Sequence, residues 1–325
     1  MKDFLSELLI CPSCKAKLKL YNAEYINGEI EYAKLVCGCG REYPVTNGIP
    51  RFVANDGYVE NFSFEWNRFN KTQLDSFNRT EISQVRFREV TGFGPEQLKG
   101  KFVLEAGCGM GRFLEAASKT ADQVIGIDLS FSVDAAMVNL RKFPNVHLIQ
   151  ADIYNLPLPL KSFDLIYSIG VLHHTPDPKA AFLRIAQLLR DKGAIAIWMS
   201  PKSRFPFLPK ATSIARIFTT RMRKERLLNI IESVVPKVLP LVRVPVIGRS
   251  LKGWVIPVCD YKGKLPLIES QLLEWSILDT FDLLSPKYLY EYSPWQIRGW
   301  LTEAGLSDII TTSPAIVARG KAILG

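Results

Sequence analysis

The stretch KFVLEAGCGMGRFLEAASK, opening at Lys101, constrains the fold more than any other part of the chain. Phe102 to Ala106 reads as a buried strand, Gly107, Gly109 and Gly111 as a turn, and the spacing that follows predicts a helix from near Gly111. Glycines let the backbone approach a ligand at the carboxyl end of a strand, where a side chain would collide. Cys108 sits among them as a small residue.

The unit repeats. QVIGIDLS ends in Asp128, placed where a carboxylate can accept both hydroxyls of a ribose. NVHLIQADIYNLPLP ends its strand with Ala151 and Asp152, and SFDLIYSIGVLHHTPDP is a strand that spills into a loop at the same sheet edge. GAIAIWMS is a fifth strand, after a helix expected to end in LLRDKG. Near the end, Ser293-Pro294 start a helix, Gly305 ends it, and LSDIITT and AIVARGK form an antiparallel pair. This alternation predicts an α/β fold with a doubly wound, mostly parallel seven-stranded sheet closed by an antiparallel pair.

A dinucleotide fingerprint would place its third glycine at position 112, which is Arg112. The spacing is instead G-x-G-x-G preceded by Glu105, and it resembles motif I of class I S-adenosylmethionine-dependent methyltransferases, over about residues 99–200 and again over 286–325. The resemblance implies S-adenosylmethionine as cofactor, with Ala151 and Asp152 positioning the adenine and the Asp152 carboxylate accepting its exocyclic amine. The expected cofactor wall is Glu105, Gly107, Cys108, Gly109, Gly111, Asp128, Leu129, Ala151, Asp152, Ile153 and Ser168. Enzymes that methylate amino groups of nucleic-acid bases or glutamine commonly carry Asn/Asp-Pro-Pro-Tyr/Phe after the fourth strand; here the place reads Ser168 to His174, SIGVLHH. That version resembles the one in methyltransferases of small molecules, quinones, sugars and lipids. His173 and His174 lie on the loop over the expected active site, where one could act as general base, or both could pack and cap the loop. His147, inside a strand pattern, reads as structural.

Four of the six cysteines stand in two close pairs, Cys11 and Cys14 in CPSC, Cys37 and Cys39 in CGCG. Two tight loops presenting two thiolates each suit tetrahedral zinc, whereas disulfides would be reduced in a cytosolic chain. ELLICPSCKAKLKL and LVCGCGREYPVTNGIPRFV resemble the small zinc ribbon of the Trm112-like family, over about residues 4–53. The resemblance implies a structural zinc with no open coordination position.

The expected organisation is a zinc module over 1–55, an aromatic helical linker covering the cofactor over 56–98, a Rossmann-like core over 99–200, a mostly helical acceptor insert over 201–285, and the closing helix and strand pair over 286–325. Phe62, Phe64, Trp66, Phe69 and Phe77 in the linker suit either covering the ligands or packing between modules. The formal net charge is +9, yet twelve Lys/Arg face only Glu225 and Glu232 between Lys202 and Lys252, so this segment carries the whole excess. Leu227, Leu228, Ile230, Ile231, Val234 and Val235 recur at helical spacing beside this basic rim, and Pro236, Pro240, Pro245 and Pro257 are expected to chop the chain into short pieces. Aromatics for base stacking are sparse among the basic residues, which disfavours nucleic acid. A small-molecule, glycan or lipid-linked acceptor fits better, with peripheral membrane contact through 201–257. No apolar run is long enough to span a bilayer, and the opening MKDFLSELLICPSC lacks a secretory layout, so the expectation is a cytoplasmic enzyme, at most peripheral at the inner membrane surface. O-methylation is favoured over C- or N-transfer; the alternative is an rRNA or tRNA base methyltransferase whose zinc module aids RNA recognition. The organisation also resembles a bacterial methyltransferase subgroup associated with surface polysaccharide or secondary metabolites.

Overall fold

The computed structural model describes residues 1–55, 57–202, 211–244, 256–313 and 315–323. Helix α1 (Asp3–Leu8) precedes a four-stranded antiparallel sheet of β1 (Leu18–Ile26), β2 (Glu29–Cys37), β3 (Glu42–Thr46) and β4 (Ile49–Pro50), paired in that order. Two Asn-Gly turns make the hairpins: Asn27-Gly28 at φ 51° and 78°, and Asn47-Gly48 at φ 54° and 74°. Two successive left-handed residues match the right-handed twist of the strands, and asparagine and glycine adopt them cheaply. Leu5, Leu9, Ile30, Leu35 and Val45 fill the small core beneath.

Four helices follow, α2 (Glu60–Arg68), α3 (Asp75–Asn78), α4 (Ile82–Thr91) and α5 (Pro95–Leu98). The large sheet then alternates β5 (Phe102–Ala106), α6 (Arg112–Ser118), β6 (Gln123–Asp128), α7 (Ser132–Leu140), β7 (Val146–Gln150), β8 (Phe163–Ile169), α8 (Pro178–Ala186) and β9 (Leu189–Met199). The insert contributes α9 (Ala211–Thr219), α10 (Lys224–Val242) and α11 (Glu269–Leu284), and the chain closes with α12 (Pro294–Glu303), β10 (Leu306–Thr311) and β11 (Ile316–Ala322). Strand order is β10-β11-β9-β8-β5-β6-β7, with β5 to β9 parallel and β11 antiparallel to both β9 and β10. The chain winds outward from β5 to β7 and then returns to the other side of β5 with β8. Order therefore reverses between β5 and β8, and the crevice beyond their carboxyl ends is where such sheets take ligands.

Three local expectations are corrected. The third strand stops at Gln150, leaving Ala151 and Asp152 in the loop beyond it. Before β9 the helix ends at Ala186, and LRDKG belongs to the strand. Leu188 and Leu189 are buried in the core, and Lys192 takes a left-handed φ of 62°, which bends the strand where its register with β8 shifts. In the insert, α10 runs unbroken through Pro236 and Pro240. Both prolines lie on the exposed side, where water can serve the carbonyls that lose their partners. On the other side Leu227, Leu228, Ile231, Val235, Leu239 and Val242 pack on Leu278, Phe281 and Leu284 of α11. At about 25 cal/mol per Å² of buried apolar surface, six aliphatic side chains outweigh the two lost bonds. Ile230 and Val234 fall outside this face and are exposed.

The N-terminal module is fastened to the outer edge of the large sheet. Arg51 pairs with Gln150 of β7 as a parallel bridge, and the Phe52 amide donates to the Gln150 carbonyl at 2.8 Å. The Arg51 guanidinium reaches Asp134 at 2.6 Å and the Gln150 side chain at 2.8 Å. Arg141 meets Glu31 at 2.6 Å, and the Lys2 ammonium donates to the carbonyls of Phe143, Pro144 and Val146. Because Arg51 is largely covered, Arg51→Met should cost about 2 kcal/mol by leaving Asp134 and Gln150 without their donor. Urea unfolding of the variant measures this; a loss near zero would mean that the clamp is incidental.

Candidate active site

One cavity of about 950 Å³ opens over the reversal of strand order, at the upper end of the range for ligand pockets. Its floor is Glu105, Gly107, Cys108 and Gly109, its side carries Asp128, Leu129, Ala151 and Ile153, and its roof includes Tyr58, Phe62, Trp66, His173 and His174. The far wall comes from the insert, with Cys259, Tyr261, Trp275, Asp279, Asp282 and Leu283.

The glycine loop is shaped by conformation and by crowding. Gly107 sits at φ 82° and a methyl there would run into the Val171 side chain, so no other residue preserves this turn. Gly109 donates its amide to Asp128 Oδ2 at 2.8 Å, and Ser130 donates from its amide and hydroxyl to Oδ1 at 2.8 and 2.6 Å. Burial pushes the Asp128 carboxyl above the usual range, against these hydrogen bonds. Glu105 is likewise raised by burial, with the Tyr167 hydroxyl donating to it at 3.1 Å. Burial also raises the Cys108 thiol, which leaves it protonated and inert.

Three expected residues lie off the cavity wall. Gly111 caps α6 at φ 92° against Leu140. Ser168 is buried beneath the wall and donates its hydroxyl to the Ala106 carbonyl at 2.8 Å. Asp152 accepts the Tyr154 amide at 3.0 Å in its own turn. Among the linker aromatics, Phe62 and Trp66 reach the cavity, Phe64 and Phe69 pack with the insert, and Phe77 is exposed.

The histidines are buried against each other, with ring centroids 4.1 Å apart and the ring planes tilted by 49°. His174 Nδ1 lies 2.8 Å from the Tyr288 carbonyl, so that nitrogen carries the proton. Burial lowers His174 to about 4 and holds His173 well below the usual histidine range, so neither is charged at neutral pH. His173 Nδ1 has no hydrogen-bond partner among the described residues. His147, lowered to about 3 by burial, meets the Gln123 amide oxygen at 2.7 Å outside the cavity. A pH prediction follows from His174. Below about 6.5 the unfolded chain takes up a proton that folded His174 refuses until about 4, so stability present above 6.5 is lost as pH falls, by about 3 kcal/mol for a full burial shift. The His174→Gln variant should lose that share of the acid dependence in urea unfolding between pH 7 and 4.5. An unchanged dependence would assign it to other groups.

Sequence reasoning missed the insert's polar wall. Tyr261 donates its hydroxyl to Asp279, Gln73 donates to Asp279 Oδ1 at 3.0 Å, and Arg112 donates to Gln73 Oε1 at 2.8 Å. Burial raises Asp279 to about 7 and Asp282 to about 6, and lifts fully buried Glu65 well above its usual range. Only the cluster of acids in the insert at Asp279 and Asp282 signals this from sequence, and nothing local ties it to Gln73 or Arg112.

In the N-terminal module, the sulfurs of Cys11, Cys14, Cys37 and Cys39 lie within 4.8 Å of one another, with Cys11 to Cys39 at 3.8 Å and Cys14 to Cys37 at 3.3 Å. A tetrahedron of Zn–S bonds of ~2.3 Å has edges of about 3.8 Å, so the four thiols fit zinc. No further group of three or more metal-ligating side chains occurs among the described residues.

A Rossmann-like sheet with a glycine loop, a carboxylate at the tip of the next strand and a shared cavity is an arrangement that takes a nucleoside-bearing cofactor. Residues 104–197 match the methyltransferase domain family, and residues 2–48 match the Trm112p-like protein family. Residues 104–197 thus carry a methyltransferase domain, with a Trm112-like module ahead of it in the same chain. S-adenosylmethionine is the cofactor that the methyltransferase-domain match implies, and the four cysteines could hold zinc. A probable S-adenosylmethionine-dependent methyltransferase of Mycobacterium tuberculosis is 35% identical over 121 residues, 37% of this chain and 42% of the relative. A tRNA U34 carboxymethyltransferase of Pseudoalteromonas translucida is 28% identical over 64% of this chain and 62% of the relative. A ubiquinone biosynthesis O-methyltransferase of Coxiella burnetii is 35% identical over 30% of this chain and 43% of the relative. The chain spans less than two thirds of each relative's length.

Proposed function

We propose that the protein transfers a methyl group from S-adenosylmethionine to a hydroxyl of a small-molecule, glycan or lipid-linked acceptor that it meets at a membrane surface. The observation that carries the reading is a cavity shared by the glycine loop and the helical insert, roomy enough for cofactor and acceptor together. S-adenosylmethionine, when bound, supplies an electrophilic methyl carbon, so the chain's task is alignment and exclusion of water.

In this reading Asp128 accepts the ribose hydroxyls, Leu129, Ala151 and Ile153 sandwich the adenine, and Asp152 meets its amine from the loop edge. Glu105, Gly107, Cys108 and Gly109 shape the floor, Gly111 starts α6 behind it, and Ser168 braces it through Ala106. His173 offers its free Nδ1 to the acceptor, while His174 holds the loop through Tyr288. Both are poor bases, so a hydroxyl proton passes more readily to Asp279, which burial poises near neutrality. We assign 1–55 to the zinc module, 56–98 to the cover, 99–200 and 286–325 to the core and 201–285 to the acceptor insert; residues 203–210 and 245–255 of the proposed membrane-contacting stretch lie outside the described residues.

The similarity to a tRNA U34 carboxymethyltransferase supports a second reading, transfer to an rRNA or tRNA base with the zinc module aiding RNA recognition. The test is incubation of the protein with radiolabelled S-adenosylmethionine and separate RNA, lipid and soluble extracts. Label in lipid or soluble material is expected. Label in RNA would overturn the acceptor assignment, and no label anywhere would overturn transfer itself.

A further inference from the structure

Helix α9 is built inside out. Thr212, Ala215, Arg216 and Thr219 face the protein: the Arg216 guanidinium donates to the carbonyls of Leu283 and Pro286 at 3.2 and 2.7 Å, and the Thr219 hydroxyl to that of Leu284 at 2.8 Å. These bonds cap the carbonyl end of α11, where a cation also meets the helix dipole favourably. The helix is therefore held by polar contacts. Its large apolar residues point away: Ile214, Ile217 and Phe218 are 52%, 55% and 68% exposed. Spaced i, i+3 and i+4, they form one ridge, continued at i+7 by exposed Arg221, with exposed Arg223 beyond.

A soluble surface gains nothing from three large apolar side chains in a row, whereas a bilayer interface takes such a ridge into its acyl boundary. The charge around it selects the occupant. Residues 211–244 carry seven Lys/Arg against two glutamates, an excess that suits anionic headgroups and would repel a second copy of the same positive face. No helix among the described residues is long and apolar enough to cross a membrane, so contact through this segment would be from one side.

We propose that α9 is a docking helix that lays the Ile214, Ile217 and Phe218 ridge into an anionic lipid surface, with Arg221 and Arg223 on the headgroups. The proposal rests on the reading of a membrane-met acceptor and names the contact. Asp282 and Leu283, one layer beneath α9, line the cavity, so docking by this helix brings the acceptor wall to the lipid.

The test is co-sedimentation of the full chain with phosphatidylcholine vesicles that contain either no anionic lipid or about one third phosphatidylglycerol. Neither cofactor nor acceptor is added, so the outcome is independent of which extract becomes labelled in the turnover experiment. Wild-type protein should bind the anionic vesicles, weakly the neutral ones, and less as salt rises. The double variant Ile217→Asp, Phe218→Asp should bind roughly tenfold less or weaker, and Arg221→Gln, Arg223→Gln should lose the preference for anionic lipid. Unchanged calorimetric affinity for S-adenosylhomocysteine confirms that both variants are folded. Absence of wild-type binding, or equal binding by the double variant, would overturn the proposal. So would a concentration-dependent dimer in sedimentation velocity that the double variant abolishes, since a second copy would then cover the ridge.

Discussion

Asp128→Ala should weaken binding of S-adenosylhomocysteine at least a hundredfold in calorimetry while hardly changing the melting temperature. Two hydrogen bonds to a charged acceptor contribute about 1.5–3 kcal/mol each, so losing both is worth at least two orders of magnitude. The stability side goes the other way from the usual buried carboxylate. Burial already raises the Asp128 carboxyl, so holding it ionised costs the fold something, and that cost disappears with the side chain. Its hydrogen bonds to Gly109 and Ser130 offset part of the gain, and the two effects roughly cancel. Asp128→Asn, which keeps one acceptor oxygen, should fall between wild type and Ala. Unchanged affinity in the Ala variant would place the ribose elsewhere in the cavity, whereas a loss of both affinity and melting temperature would make Asp128 a structural residue of the glycine loop.

The second large effect concerns the four thiols. Cys11→Ser or Cys37→Ser should abolish stoichiometric zinc in elemental analysis and unfold residues 1–55, because structural zinc contributes on the order of 10 kcal/mol to modules this small. Cys11 and Cys37 are buried, Cys14 and Cys39 exposed, and a short sheet over a handful of aliphatic residues has little else to hold it. A chelator should reproduce the effect on wild-type protein, seen as a separate early transition in a thermal scan. A metal-free protein with an unaltered melt would show that packing against the large sheet suffices and that zinc is dispensable.

The elements that sequence foretells are those whose pattern is local. Phe102 to Ala106, the glycines at 107, 109 and 111 and the acid at 128 each carry their signal within a few residues, and the strands and turn fall where the spacing puts them. Local pattern fails where a distant neighbour decides. Pro236 and Pro240 read as breaks, yet α11 supplies an apolar wall that keeps α10 continuous. Leu188 and Leu189 read as the end of a helix, but pairing with β8 draws Leu189 into a strand. Ser168 carries the right residue type at the right strand tip, but spacing along a strand does not say which oxygen its hydroxyl will find. The polar wall of Gln73, Arg112, Tyr261 and Asp279 is assembled from segments as much as 206 residues apart, beyond any windowed reading.

The Arg51 to Gln150 bridge also bears on solubility. β7 ends the order of the large sheet, and a bare parallel edge strand offers unpaired amides and carbonyls to any other chain. The amide of Phe52 and the residues around it cover part of that edge. A chain made without metal would therefore lose more than an ornament: with its N-terminal sheet unfolded, it would expose a sticky border, and zinc starvation during expression should show up as precipitate before it shows up as lost turnover.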